Sequence, residues 1–370
     1  MNIPLKSLVS PVGDVFSPGL EGVVAAQTVL SHVDGAAGRL VLRGFELEQL
    51  AGWSFEAVLS LLWRDLAPER LDEAAIRARL GAAREVAFER MVAALPALDG
   101  LSQVEALRLL LSRLADGETE SHHLVAVASV PVFAAAIARR GRSLDPVRPD
   151  ASLGAAADFL RMLHGAEQGA DKVRALETYL VTVADHGLNA STFATRVIAS
   201  TQAGLFSSVI GGLCALKGPL HGGAPGPVLD MLDAIGAEDC IRPWLVSALD
   251  RGERLMGFGH RIYRVRDPRA DALKRAVAGL RDTGGRIAFA EKVEVEALAL
   301  LAERKPLRPL ETNVEFYTAL VLEAVGFPRE SFTNVFASGR MAGWTAHVLE
   351  QDQVGRLIRP QSLYVGPMPA

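Results

Sequence analysis

The sequence predicts a mainly α-helical protein with one small β hairpin near its N-terminus. Three patterns support this fold class. Apolar residues recur at helical spacing through most of the chain, strand-like alternation is scarce, and one uncharged apolar run is long enough for a buried helix. No internal repeat or low-complexity linker interrupts these patterns.

The hairpin is the first element predicted along the chain. Its strands are "TVLSHV" (28–33) and "GRLVLRG" (38–44), which are rich in aliphatic and β-branched residues. Between them stands Asp34-Gly35, a dipeptide typical of tight hairpin turns.

The remaining elements are predicted to be helices. In "SFEAVLSLLW" (54–63), apolar residues stand at i, i+3, i+4 and i+7 after a serine that can cap the helix. Comparable segments rich in Leu, Ala and Val are 103–115, 171–184, 293–302, 316–325 and 341–348. The uncharged run Leu124 to Ala138 contains 15 residues and Pro131. A membrane-spanning helix needs about 20, so this run predicts a buried helix or a pair of helices.

The composition of the chain excludes several classes of protein. The chain has 370 residues, 49% hydrophobic and 22% charged, which is enough for a large core in one or two domains and excludes a disordered chain. A net charge of −4 argues against a general nucleic-acid-binding protein. The first residues lack the pattern of a signal peptide, so we expect a cytoplasmic protein whose Cys214 and Cys240 are buried thiols.

Arginines and glycines cluster in the second half of the chain. Six arginines lie between Arg251 and Arg269 against two acidic residues, a local excess of +4 that is either a solvated face or a site for a polyanion. Glycine-rich patches at 217–227 and 256–260 permit close approach of a ligand or serve as helix–helix turns. Neither patch matches a dinucleotide fingerprint or a phosphate loop, which argues against nucleotide-dependent redox or kinase chemistry.

Three histidines stand beside glycines or small polar residues instead of on apolar stripes. They are His186 in "ADHGLNAST", His221 in "GPLHGG" and His260 in "GFGHRIYRVRDPR". A single histidine in such a setting is most often a structural core residue whose ring nitrogens are hydrogen-bonded. Three such histidines followed by an arginine cluster are a much less common combination. No His-x-x-x-His or Cys-x-x-Cys spacing predicts a metal site.

Glu315 in "ETNVEFYTAL" admits two interpretations. Asn313 can cap a helix that starts here, and a carboxylate in the first turn of a helix is stabilised by the helix dipole without any further role. Alternatively, Glu315 is a catalytic base.

Seven segments, taken together and in order, resemble the citrate synthase family over nearly the whole chain. They are "GLEGVVAAQTVLSHVDGAAGRLVLRGFELEQLA" (19–51), "ADHGLNAST" (184–192), "GPLHGGAP" (218–225), "LMGFGHRIYRVRDPRA" (255–270), "NVEFYTA" (313–319), "GRMAGWTAHVLEQ" (339–351) and "RLIRPQSLYVG" (356–366). The chain is similar to the short, dimeric bacterial or archaeal type. The resemblance implies a two-domain helical fold in which a small domain, 223–326, is inserted into a large one formed by 1–222 and 327–370. It also implies a homodimer whose active site forms when the domains close.

The resemblance implies condensation of acetyl-CoA with oxaloacetate, without metal or cofactor and without nucleic acid or membrane as partners. His221 would hydrogen-bond the enolate oxygen, Glu315 would remove the methyl proton, and His260 would polarise and protonate the oxaloacetate carbonyl. The residues implied in binding oxaloacetate are His186, Asn189, His260, Arg269, Arg340 and, from the partner subunit, Arg359. The residues implied in binding CoA are Leu255, Met256, Gly257, Phe258, Gly259 and Arg264.

The motif around the base departs from the family pattern. The family has Asp where this chain has Glu315, and usually Pro where it has Thr312. Glu can also remove a proton from a carbon acid. The extra methylene moves the carboxylate outward by about 1 Å, and misplacement on that scale can cost roughly 10²-fold in rate. Two alternatives stay open. One is a 2-methylcitrate synthase that uses propionyl-CoA, because no residue in the sequence settles the choice between the two substrates. The other is a citrate-synthase-like ligand-binding protein of low activity, for which the Glu315 departure is the only support.

Overall fold

A computed structural model describes residues 17–117, 121–221, 225–260, 262–263, 265–280, 285–307 and 310–369. The prediction of a mainly α protein is confirmed. In the described part of the chain the α-helices are α1 (Leu47–Leu50), α2 (Phe55–Trp63), α3 (Glu73–Val92), α4 (Gln103–Leu111), α5 (His122–Arg140), α6 (Ala155–His164), α7 (Ala170–Thr182), α8 (Ala190–Ala199), α9 (Leu205–Leu216), α10 (Pro225–Ile235), α11 (Ile241–Asp250), α12 (Pro268–Ala278), α13 (Arg286–Arg304), α14 (Val314–Val325) and α15 (Phe332–Val354).

The predicted hairpin is present. Its strands β1 (Ser31–Asp34) and β2 (Arg39–Leu42) are antiparallel, and a short third strand, β3 (Phe45–Glu46), extends the sheet in the order β1-β2-β3. The first strand begins later than the sequence pattern predicts. One reason is that the N–H of Val29 donates to a carboxylate oxygen of Glu350 at 2.8 Å instead of to a neighbouring strand.

Helix α15 lies at the centre of one group of helices and packs against α5, α7, α8 and α9. Glycine makes one of these contacts possible. A Cβ atom at Gly343 would lie 2.4 Å from the carbonyl oxygen of Ala184, and the N–H of Gly343 donates to that oxygen at 3.0 Å. The backbone of α15 therefore packs directly on the segment that carries His186.

A second group of helices packs beside the first. Helix α14 contacts α10 and α12, α11 contacts α13, and both α12 and α14 lie against α7 of the first group. Helix α7 is thus a place where the two groups meet. The domain division into 1–222, 223–326 and 327–370 stays a prediction, and its first boundary, between residues 222 and 223, lies outside the described part of the chain.

The apolar run around Pro131 forms a single helix, α5, and not a pair. By length and composition, α5 is the one helix among the described residues that could cross a membrane, but 89% of its most apolar stretch is buried inside the fold.

The expectation of buried cysteines is wrong, since Cys214 and Cys240 are both exposed free thiols. On α9 the buried face is formed by residues such as Leu213 and Leu216, which leaves Cys214 on the outer side. Cys240 ends a surface 3₁₀ turn, Glu238–Cys240, in which no residue is buried.

Candidate active site

His186 and His260 lie together in the structure. Their ring centroids are 5.8 Å apart, and the rings are almost perpendicular. The hydroxyl of Tyr263 lies 3.1 Å from Nε2 of His186. Burial, followed by the positive charges of Arg269 and Arg340, holds the pKa of His186 well below its usual value. His186 is therefore a neutral imidazole.

Asn189 shapes the loop that carries His186. Its Oδ1 accepts the N–H groups of Ser191 and Thr192, both at 3.1 Å, and so caps α8. Its Nδ2 donates to the carbonyl of Gly187 at 3.2 Å. Asn189 thus makes hydrogen bonds to the backbone on both sides of it, as expected if it supports the loop that carries His186. Its contact with substrate stays a prediction.

His221 has a tautomer that its neighbours define. Its Nε2 lies 2.8 Å from Oγ of Ser191 and 3.3 Å from the backbone N of the same residue. Because the backbone N–H can only donate, Nε2 is an acceptor and the ring proton lies on Nδ1. Burial, with Arg340 and Arg269, lowers the pKa of His221 to about 4. His221 is therefore a neutral N–H donor.

His260 has the opposite tautomer. Its Nδ1 accepts the N–H groups of Ile262 at 3.0 Å and Tyr263 at 3.1 Å, so the proton lies on Nε2. Burial, followed by Arg269, lowers its pKa to about 4. That Nε2 lies 3.2 Å from Nη2 of Arg269. A substrate oxygen that lies beside both nitrogens can accept hydrogen bonds from both groups.

Two buried arginines complete the positive side of the site. Arg269 forms a bidentate pair with Asp267, with Nε–Oδ1 at 3.0 Å and Nη2–Oδ2 at 2.8 Å. Burial lowers the pKa of Arg269, but Asp267 more than offsets that effect and raises it. Arg340, on α15, donates from Nε to the carbonyl of Val183 at 2.7 Å. Burial lowers its pKa to about 10, so Arg340 keeps its charge at neutral pH.

Glu315 lies in the first turn of α14, which Asn313 caps by accepting the N–H of Glu315 at 2.9 Å. The predicted helix start is therefore confirmed. The carboxyl group, however, is not a solvated helix-end charge, because its Oε2 atom is buried with no hydrogen-bond partner among the described residues. Burial raises its pKa to about 7, although Arg269 and Arg340 act in the opposite direction. The local environment favours a proton acceptor over a purely structural charge.

The glycine-rich loop 255–259 is joined to the segment 311–313 that precedes Glu315. Phe258 pairs with Thr312 in an antiparallel bridge. The N–H of Gly259 donates to the carbonyl of residue 311 at 2.7 Å, and Asn313 donates from its backbone N to Gly257 at 2.9 Å. Gly257 has a φ of +86°, and a Cβ there would lie 2.8 Å from Phe316. The loop and Glu315 therefore form one connected unit.

One predicted residue does not join this cluster, and another lies outside the described part of the chain. Arg359 is exposed and lines a separate surface cleft of about 430 Å³, between residues 20–27 and the C-terminal segment 354–360. Arg264 lies outside the described residues. Within the described ranges, no group of three His, Cys, Asp or Glu residues is arranged to bind a metal ion.

The structure adds three residues that sequence reasoning did not select. Ser191 contacts His221, Tyr263 contacts His186, and Asp267 holds Arg269. A local signal existed for Asp267, since Asp followed by Pro marks a helix start, and Asp267 caps α12. Ser191 and Tyr263 act across the fold and had no comparable signal.

Comparison with known proteins extends over nearly the whole chain. The family model described as citrate synthase, C-terminal domain, matches residues 19–361. Citrate synthase of Haloferax volcanii is 40% identical and is aligned over 94% of this chain and 95% of its own. The 2-methylcitrate synthase of Mycobacterium tuberculosis is 36% identical over 98% of this chain and 94% of its own.

Solved structures agree with the sequence comparisons. Citrate synthase of Thermotoga maritima superposes with a TM-score of 0.82 at 34% identity, over 95% of this chain and 96% of its own. Citrate synthase of Thermoplasma acidophilum was solved as a ternary complex with carboxymethyl coenzyme A and oxaloacetate. It superposes with a TM-score of 0.86 at 26% identity, over 96% of this chain and 97% of its own. The chain therefore belongs to the citrate synthase family and is an acyltransferase.

Proposed function

We propose that this enzyme joins acetyl-CoA to oxaloacetate and hydrolyses the resulting citryl-CoA to citrate and CoA, acting as a homodimer in the cytoplasm. One observation carries the proposal. The buried carboxyl group of Glu315, with a pKa raised to about 7, lies in the environment of two buried arginines that also act on His221.

The first step is removal of a methyl proton by Glu315. A thioester α-proton is a weak acid, and a carboxylate with a pKa near 7 is a stronger base than a solvated one. The enolate oxygen that forms needs a donor already in place, and the Nδ1–H of the neutral His221 supplies one.

The second step is attack of the enolate carbon on the ketone of oxaloacetate. The ketone oxygen gains negative charge and accepts hydrogen bonds from Nε2–H of His260 and from Arg269, whose nitrogens lie 3.2 Å apart. His260 then gives its proton to this oxygen. Water adds to the thioester carbonyl and CoA leaves as the thiol, which yields citrate.

Substrate binding uses the remaining predicted residues. Oxaloacetate carries two carboxylates, and the cations proposed to hold them are Arg269, Arg340 and Arg359 from the partner subunit. The loop 255–259 is proposed to bind the adenine of CoA, with Arg264 near its phosphates. Support comes from the Thermoplasma acidophilum relative, whose structure contains oxaloacetate and a CoA analogue.

A second candidate substrate is propionyl-CoA. The 2-methylcitrate synthase of Mycobacterium tuberculosis is nearly as similar to this chain as the citrate synthases are. The two substrates differ by one methyl group, and discrimination of one methyl group is typically worth about 1–3 kcal/mol.

Thiol release with oxaloacetate and either acetyl-CoA or propionyl-CoA tests the proposal. We expect release with both and a higher kcat/KM for acetyl-CoA. Glu315→Gln is similar in shape but cannot accept the proton, so it should abolish condensation and methyl-proton exchange while oxaloacetate binding stays close to normal. Glu315→Asp should also be slower than the wild type if the backbone has adapted to the longer side chain. A Gln variant with near wild-type turnover would end the proposed role of Glu315, and absence of thiol release with either substrate would end the proposed reaction.

A further inference from the structure

Strand β1 lies against the loop that carries His186. The hydroxyl of Ser31 donates to Oδ2 of Asp185 and accepts the N–H of Gly187 at 2.9 Å. Asp185 is completely buried. One side chain of the hairpin therefore holds both the residue before His186 and the residue after it.

The same face of β1 makes a second contact with this loop. Ser31 and Val33 are two residues apart in the strand, so their side chains point to the same side of the sheet. A Cβ atom at Gly187 would lie 3.3 Å from Cγ2 of Val33. The strand thus packs closely on the loop in addition to its hydrogen bonds.

The turn of the hairpin lies against the loop that carries His260. A Cβ atom at Gly35 would lie 2.3 Å from the carbonyl oxygen of Ile262, and one at Gly38 would lie 2.7 Å from Cγ2 of Val265. Gly35 has no positive φ, so the close approach of Ile262, and not the turn itself, leaves no room for a side chain there. Ile262 is also one of the two residues whose N–H groups Nδ1 of His260 accepts. The turn therefore supports the ring of His260 through a single intervening residue.

The hairpin contacts both loops, and these loops belong to different groups of helices. His186 lies between α7 and α8 of the first group, and the loop of His260 leads into α12 of the second. We propose that the β1–β2 hairpin is a positioning element of the active site, in which Ser31 fixes the loop of His186 and Gly35 fixes the loop of His260. The paired strands then set the spacing of the two rings, whose centroids are 5.8 Å apart. The inference rests on the proposed binding of oxaloacetate by both histidines.

Ser31→Ala tests the first contact, because it removes the hydroxyl and little else. Oxaloacetate must then hold the loop of His186 as well as bind to it, at the cost of roughly one hydrogen bond, so we expect its Kd to rise by about 10-fold. The KM for acetyl-CoA at saturating oxaloacetate should stay within about twofold of the wild type. Ser31→Thr keeps the hydroxyl and should restore tight binding. Calorimetric titration with oxaloacetate alone measures the Kd, and steady-state kinetics measure the KM.

Gly35→Ala tests the second contact. The added methyl group displaces the backbone of Ile262 and with it the N–H that His260 accepts, so kcat should fall by about 10- to 100-fold, the scale on which misplaced groups cost rate. Gly52→Ala is the matched control. Gly52 also has no positive φ, but a Cβ atom there would meet nothing within 4 Å, so this variant should behave like the wild type.

Histidine-ring NMR of the ligand-free enzyme gives a readout that does not depend on substrate. With isotope-labelled histidine, the signals of His186 and His260 are identified by their loss in His186→Gln and His260→Gln. Ser31→Ala should shift the signal of His186, and Gly35→Ala should shift that of His260. The signal of His122, at the start of α5, is the internal reference and should shift in neither variant.

Unchanged ring signals in both variants, together with an unchanged Kd and kcat, would overturn the proposal. A lower unfolding temperature without these changes would overturn it as well, since the hairpin would then serve stability alone. If the wild-type enzyme bound no oxaloacetate, the proposed function would fail, while the ring signals would still decide whether the hairpin positions both histidines.

Discussion

At the scale of single residues, the environment of the proposed base, Glu315, predicts the pH range of activity. Burial raises its pKa to about 7, and only the charged form can accept a proton. We therefore expect kcat to fall as pH falls through about 7, and not through the ordinary value near 4.5. The pH profile of kcat, measured with saturating acetyl-CoA and oxaloacetate, checks this. An acid limb that stays near 4.5 would show that the working base is solvated or is another group.

The histidines contribute little to that profile. Burial lowers the pKa of both His221 and His260 to about 4, so both remain neutral donors across the range in which Glu315 titrates. Sequence reasoning could select these histidines by their glycine-rich settings. It could not assign their tautomers, because the N–H groups that define them come from Ser191, distant in sequence from His221, and from a local turn at Ile262.

At the scale of elements, one buried carboxylate connects the start of α14 with α12 and α13. Glu294, on α13, accepts from Oγ1 of Thr312 at 2.7 Å and from Oη of Tyr317 at 2.6 Å, the residues on either side of Glu315. Lys274 of α12 donates to it as well, at 2.8 Å. The resemblance to the family implies a proline at the position of Thr312, and a proline has no hydroxyl with which to make this bond. The bond from Thr312 to Glu294 therefore depends on the threonine of this chain.

We expect Thr312→Val to show the value of this bond. Valine keeps the shape but removes the donor to a buried carboxylate, which costs about 1–3 kcal/mol of the free energy of unfolding. The base shifts with the turn, so kcat should fall while the KM for oxaloacetate changes little. Thermal unfolding and steady-state kinetics measure both effects. Thr201→Val, at an exposed position, is the control and should change neither. Unchanged stability and kcat in Thr312→Val would show that Glu294 does not position the base.

Local signals in the sequence predicted elements well. Asn313 before an apolar helical segment predicted the start of α14 correctly. Asp34-Gly35 predicted the position of the turn between β1 and β2. Contacts between distant segments could not be predicted from such signals. The pairing of Thr312 with Glu294 and the packing of Gly343 on Ala184 join residues that no periodicity relates. The two-residue strand β3 is too short to show a period at all.

At the scale of the whole molecule, the site draws on both groups of helices. His186 and Arg340 are held by α7, α8 and α15, whereas Arg269 and Glu315 stand on α12 and α14. A change in the packing between the groups therefore changes the distance from His186 and Arg340, which are proposed to bind substrate, to the proposed base Glu315. This arrangement is what the predicted closure of two domains requires.

In the proposed dimer, Arg359 of the second copy would add a residue to the active site, beside those that the two groups of helices supply. This residue is exposed in a cleft whose apolar side chains include Val23, Val354 and Leu357, exposed by 48%, 58% and 53%. An arginine on such a surface, away from its own site, suits a role in the site of a second copy. If Arg359 acts across the interface, Arg359→Ala and His260→Ala subunits should each be inactive as homodimers.

Mixing the two variants tests this directly. In a twofold dimer, each mixed pair keeps one site with both residues intact, so random mixing should restore about a quarter of wild-type activity. A mixture of His221→Ala and His260→Ala is the control. Both histidines are proposed to act within their own chain, so no mixed pair has an intact site and activity should stay absent. Native mass spectrometry establishes that mixed dimers form. If they form and the Arg359→Ala mixture stays inactive, Arg359 acts within its own chain or has no part in catalysis.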